Sequence, residues 1–211
     1  MNCDCYGLFT TTDSRVAQTA FENTVFGLAA HRPSTGAALQ ATLAADPDHV
    51  AAHAVKGFAN LILGRSELHP VAQAALVDAR TALVIKHGGS ADERILVDAL
   101  AAACAGEFLR AADSLDHGSE ARPATLLTFK LSQSLRFMAG DQAGMLTSSR
   151  RAVAHLDVTA PGAGFVLGCH AFSLEEQGLY ADALRFGQQA VAIQPEDAWG
   201  LHAVSHVFEM R

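Results

Sequence analysis

Gly178-Leu179-Tyr180-Ala181-Asp182-Ala183, followed by Ala190 and Pro195, is the stretch whose reading decides the fold. Its small and aromatic positions recur from 72 residues earlier as Gly106, Phe108, Ala111, Gly118 and Pro123. Half of that spacing is about 36 residues, the length of a unit in which two antiparallel helices pack through small side chains. Glycine supplies the turn between the helices and alanine lets them approach. Proline stops the second helix because it lacks the N–H that the helical ladder needs. The repeat therefore predicts an all-α helical-hairpin solenoid.

Working outward, Arg32-Pro33-Ser34, Asp46-Pro47, His69-Pro70, His87-Gly88-Gly89-Ser90, Arg122-Pro123, Gly140-Asp141 and Ala160-Pro161-Gly162 cut the remaining chain into helix-sized segments. No alternating run of Val, Ile and Thr is bounded by hairpin turns, so strands are expected only as short irregular pieces. Thr10-Thr11-Thr12-Asp13-Ser14 is an N-cap cluster before a helix that starts near Arg15, its side-chain oxygens accepting the first-turn amides. Residues 1–211 read as a single array.

Half of the 211 residues are hydrophobic, enough for a substantial core. Acids outnumber bases 22 to 15 and only 18% of residues are charged, so the electrostatic footprint of a nucleic-acid or membrane-surface binder is missing. Met1 to Phe9 has neither a basic n-region nor a continuous apolar run, and no later stretch approaches the length of a spanning segment. The expectation is a cytoplasmic protein with reduced cysteines at 3, 5, 104 and 169. Cys3-x-Cys5 alone is too weak a pattern to assign a metal. Phosphate-binding GxxxxGK[ST] loops, GxSxG elbows and CxxC pairs are all absent from the sequence.

The last complete unit runs from Gly164 to Asp197. Leu167, His170, Ala171 and Leu174 share one face of its first helix, which makes His170 a core histidine. Continuing that register places Leu201, Val204, Ser205 and Phe208 on the packing face of the next helix. The opposite stripe carries Trp199, His202, His206 and Glu209 toward the concave groove, with Phe165, Phe172 and Glu175 lining it from the preceding unit. Apolar rings with a few fixed polar groups are what a ligand or peptide site requires. His53-Ala54-Val55 echoes His202-Ala203-Val204, which adds His53 as a further groove candidate beside its simpler role near a helix start. Lys130 and Ser134 are four residues apart on a helix of an intermediate unit, placed to add a cation and a hydroxyl to the same concavity, although the default for a lysine, as for the pair Arg150-Arg151, is solvated surface.

Thr10-Thr11-Thr12, Ala45-Asp46-Pro47-Asp48 with His53, Gly106-Glu107-Phe108 with Ala111, Ala171-Phe172-Ser173-Leu174-Glu175, and Pro195-Glu196-Asp197-Ala198-Trp199 with His202, His206, Glu209 and Met210 together resemble one family. It is the tetratricopeptide repeat protein 38-like family. The resemblance spans nearly the whole chain and is most specific from Trp199 to Met210. It implies a superhelical tetratricopeptide-repeat array, of which this chain corresponds to the N-terminal half, since family members are about twice as long. On that view the apolar side of the last helix is covered by a second half or by a dimer mate.

Two functions fit these residues. The first is a helical-repeat scaffold that holds a peptide, protein partner or small ligand in its concave groove, needs no cofactor, and uses Trp199 as anchor with His202, His206 and Glu209 fixing orientation. The alternative is a metal-dependent or acid/base enzyme. His202-x3-His206 with Glu209 has the spacing of a divalent-metal stripe, although Ala203 stands where a zincin carries its general base.

Overall fold

The computed structural model describes residues 1–118 and 121–210. It is helical throughout apart from a small N-terminal hairpin of β1 (Asn2–Cys3) and β2 (Phe9–Thr10), in which Asn2 faces Thr10. The helices described are α1 (Arg15–Ala29), α2 (Thr35–Ala45), α3 (Val50–Ile62), α4 (His69–Ile85), α5 (Ala91–Cys104), α6 (Phe108–Gly118), α7 (Leu126–Ala139), α8 (Gln142–Ala154), α9 (Ala163–Glu175), α10 (Tyr180–Ile193) and α11 (Ala198–Glu209). Consecutive helices pack as pairs, α1 on α2 through α9 on α10, and α11 lies against both α9 and α10. None of them is long and apolar enough to cross a membrane.

The turns inside the pairs follow one rule. Gly106 and Gly178, which anchor the sequence repeat, have φ of +81° and +72° and reverse the chain after α5 and α9. Left-handed backbone of this kind strains any residue with a Cβ. Gly64 and Gly140 occupy the same place after α3 and α7, and after α1 the place is taken by His31, at φ +53°. Between pairs, a side-chain cap commonly starts the next helix. Ser14 accepts from Ala17 N, His49 from Ala52 N and Asp197 from Gly200 N, and Ser90 and Glu93 form a reciprocal capping box.

Odd-numbered helices carry the core. Every residue of α9 is buried, as is most of α7, whereas α2 buries only Thr42 and α10 only Ala183, Gly187 and Ala190. The even-numbered helices form an outer layer that touches the inner one largely through small side chains, with Leu115 of α6 and Met145 of α8 as fully buried large ones. The chain also folds back on itself. α7 reaches α1 and α3, Phe26 of α1 meets Phe165 of α9 edge to face at 5.6 Å, and Arg32 pairs with Glu196. Phe165 is consequently sealed in the core, 0% exposed, and lines no open groove.

Polar bonds fasten the outlying parts. Asp92 accepts from Phe9 N at 2.8 Å and from Arg122 at 2.7 Å, and Ser90 donates to the Phe9 carbonyl, so the N-terminal hairpin is tied to the start of α5. Arg136 joins α6, α7 and α8 by bonding Asp113, Asp116 and Asp141 at 2.6 to 2.9 Å.

Candidate functional site

Trp199 stands in the first turn of α11, where Asp197 caps the helix. Asp197 is fully buried, and its Oδ2 accepts from Gly200 N at 2.9 Å while pressing on Gly168 of α9. The small residues Gly168, Gly187 and Gly200 bring α9, α10 and α11 into close contact, and α11 therefore turns Gly200, Ala203 and Val207 inward. This corrects the packing face read from the sequence. Val204 is half-buried, but Leu201 and Phe208 are 55% and 63% exposed, because backbones at this distance leave no room for large side chains between them.

Three rings surround the indole, and a fourth extends the cluster. Phe172 meets it edge to face at 4.4 Å and Phe137 at 5.7 Å, His31 lies nearly parallel at 6.4 Å, and Phe172 in turn touches His202 at 5.5 Å. The indole N–H donates to His31 Nε2 at 2.7 Å, a contact across 168 residues of chain. Together with Ala198, these residues line a pocket of about 260 Å³. Phe172 forms its buried wall, while Phe137, half exposed, is at the rim with His202.

Beneath the indole sits Lys130. Its ammonium is 4.8 Å from the ring centroid and 3.4 Å from Cys169 Sγ, and the side chain is 4% exposed, so the solvated surface role expected for it is wrong. Lys130 lies on α7, which is buried nearly all round, and the run Leu126-Leu127-Thr128-Phe129-Lys130-Leu131 was the signal for this. Ser134, its companion, only donates back to the Lys130 carbonyl at 3.0 Å. Burial pushes the Asp197 carboxyl up to about 6 even though Lys130 pulls it down, and Asp197 Oδ1 has no hydrogen-bond partner. Burial, and then the Lys130 charge, hold His31 below the usual histidine value, which keeps Nε2 free to accept from Trp199.

The rest of the stripe continues along α11. His202 and His206 rings are 4.0 Å apart, and His206 Nδ1 is 3.6 Å from Glu175 Oε1. Glu175 is buried, with Oε2 unpartnered, so it is Glu175 that meets His206, whereas Glu209 is exposed at the helix end. Among the described residues no group of three or more His, Cys, Asp or Glu side chains is arranged to hold a metal ion. His53 lies elsewhere, its Nε2 at 2.8 Å from the Pro47 carbonyl and its Nδ1 at 3.9 Å from Asp78. His170 is a core residue bonded to Ser149 Oγ at 3.0 Å and packed on Phe186.

Sequence reasoning missed His31 and Phe137. His31 occupies the turn position that glycine holds in the later pairs, and a non-glycine residue there was the available signal. Phe137 lies near the end of α7, one pair before the stripe, and nothing in the repeat register marks it. A larger cavity, about 510 Å³, lies under the N-terminal hairpin beside Tyr6, Arg122, His155 and Gly162, where the Arg122 guanidinium is already bonded to Asp92 and the Gly7 carbonyl. No protein-family model matches the chain, and a search of solved structures gives no match.

Proposed function

We propose that this protein is a non-enzymatic helical-repeat scaffold of the tetratricopeptide type, related to the tetratricopeptide repeat protein 38-like family, that binds a ligand or a short segment of a cytoplasmic partner at Trp199. The observation that carries this reading is the pocket itself. Ring edges and faces from α7, α9 and α11 converge on one cavity, and Phe137 and His202 remain exposed at its mouth. An apolar wall with a few fixed polar groups binds rings by area and orients them by hydrogen bonds.

Trp199 is the chain's only tryptophan, so its emission reports occupancy directly. A library of ring-bearing small molecules and short peptides is screened by that signal, and hits are re-measured by calorimetry in Phe137→Ala and His202→Ala, both altered at the exposed rim. Genuine ligands lose at least tenfold in affinity in Phe137→Ala. Hits whose affinity is the same in both variants as in the unaltered protein sink the reading.

A further inference from the structure

Building on that reading, we infer that the Trp199 pocket takes a flat, apolar ring bearing a carboxylate, an aromatic acid of fragment size. Three observations carry the inference. The volume, about 260 Å³, falls below the roughly 300–1,000 Å³ of sites for drug-sized ligands and suits one ring system with a short arm.

The second observation is the absence of any acid from a lining made of His31, Phe137, Phe172, Ala198, Trp199 and His202, in a chain with seven more acids than bases. The nearby carboxylates are engaged or sealed away. Glu196 is paired with Arg32 and Glu175 faces His206. Asp197 is buried behind Gly168, where it partly balances Lys130. Meanwhile the Lys130 ammonium already occupies a face of the Trp199 ring, so a second cation in the pocket meets like charge. A cationic ligand is disfavoured and an anion is drawn in.

The third observation is a donor with a fixed proton. Because His31 Nε2 accepts the Trp199 N–H, the neutral imidazole must carry its hydrogen on Nδ1, and among the described residues that N–H has no partner. His31 is partly covered by its neighbours but keeps an open surface at the pocket wall. A carboxylate is the ligand group that matches an uncommitted imidazole N–H on a lining residue together with the His202 imidazole at the same rim. A free aromatic acid and a peptide ending in an aromatic residue share this chemistry, and the test separates them.

Calorimetry at pH 7 compares indole-3-acetate, indole-3-acetamide and tryptamine, and then a tripeptide ending in Phe as its free acid and as its amide. The acetate is expected to bind at least tenfold more tightly than the acetamide, and tryptamine more weakly than either. His202→Ala and His31→Gly, the latter at a left-handed position that glycine fits, should each narrow the gap between acetate and acetamide by weakening the acetate more than the acetamide. A stronger preference for the free-acid tripeptide than for indole-3-acetate assigns the site to a chain end and still supports the chemistry. Equal binding of acetate and acetamide, both lost in Phe137→Ala, overturns this inference and leaves the ring-binding scaffold standing. Tightest binding by tryptamine overturns it as well. No binding of any probe at millimolar concentration also overturns it, and the Phe137 dependence of screened ligands then decides the scaffold reading separately.

Discussion

Replacing Gly168 with alanine tests the contact on which the whole site hangs. A Cβ built there falls inside the van der Waals shell of Asp197 Oδ2, 2.6 Å from its Cγ and 2.9 Å from Gly200 N. Either the carboxylate swings off the start of α11, or α11 moves away from α9. The first route forfeits a helix cap, typically about 1 kcal/mol, and the second strains a filled core by about 1–3 kcal/mol. Since Asp197 is fully buried, water cannot replace the lost bond, which brings the first route to about 2–4 kcal/mol, so whichever route is cheaper the expected loss is about 1–4 kcal/mol. In urea, with a slope near the upper end of the usual ~1–3 kcal/mol/M, the midpoint should fall by about 1 M. Trp199 lies two residues from Asp197, so its emission should shift no later than the helical circular dichroism signal. Gly36→Ala is the control: it adds the same methyl on α2 where nothing lies within 4 Å, and should change stability by no more than about 0.5 kcal/mol. If Gly168→Ala and Gly36→Ala unfold at the same urea concentration, the close approach of α9 and α11 does not hold the site together.

Three further perturbations probe buried charge. Burial raises the Asp197 carboxyl to about 6, so its stabilising contribution is complete below the unfolded value near 4 and disappears as pH rises through about 6. Asp197→Asn keeps a capping oxygen and removes that dependence. It should therefore gain on the unaltered protein by about 2–3 kcal/mol between pH 4 and pH 7.5 in urea titrations, and a difference independent of pH contradicts the assignment. His170 has the opposite sign: burial and then Arg150 push it down to about 4, so the stability it contributes is present above about 6.5 and is lost as pH falls toward 4. His170→Gln should lose about 2–3 kcal/mol less than the unaltered protein over that interval, and parallel pH profiles would exclude His170 as the source. Arg136→Met leaves the buried Asp116 with the Arg151 guanidinium, 3.7 Å away, as its counter-charge and should destabilise by about 3 kcal/mol, against a smaller loss for the exposed Asp113→Ala; equal effects in thermal melts would mean that the three-carboxylate junction is not held by Arg136.

The helical class was legible because breakers and small residues act locally. Gly106 and Gly178 mark turns that only left-handed backbone can make, and Ser14 caps α1, which starts at the expected Arg15. The stripe from Trp199 to His206 was legible for the same reason, since residues three and four apart share a helix face wherever the helix goes. What that stripe faces depends on how the pairs curl, and curl is set by contacts between residues far apart in the chain. Phe165 illustrates the difference. Periodicity places it on a face of α9 but says nothing of Phe26, which covers it from 139 positions away. Lys130 is harder still, because a lysine on a helix is normally solvated, and only the apolar run around it signals that α7 is buried on every side. His31 joins the two cases. A local anomaly, an imidazole at a turn that glycine makes elsewhere, becomes intelligible through a distant partner: the strained turn aims Nε2 at the Trp199 N–H and leaves Nδ1–H for something else. Glycine would relieve the strain at that turn but could not accept the Trp199 N–H, so the imidazole exchanges local ease for a bond to a helix 168 residues away.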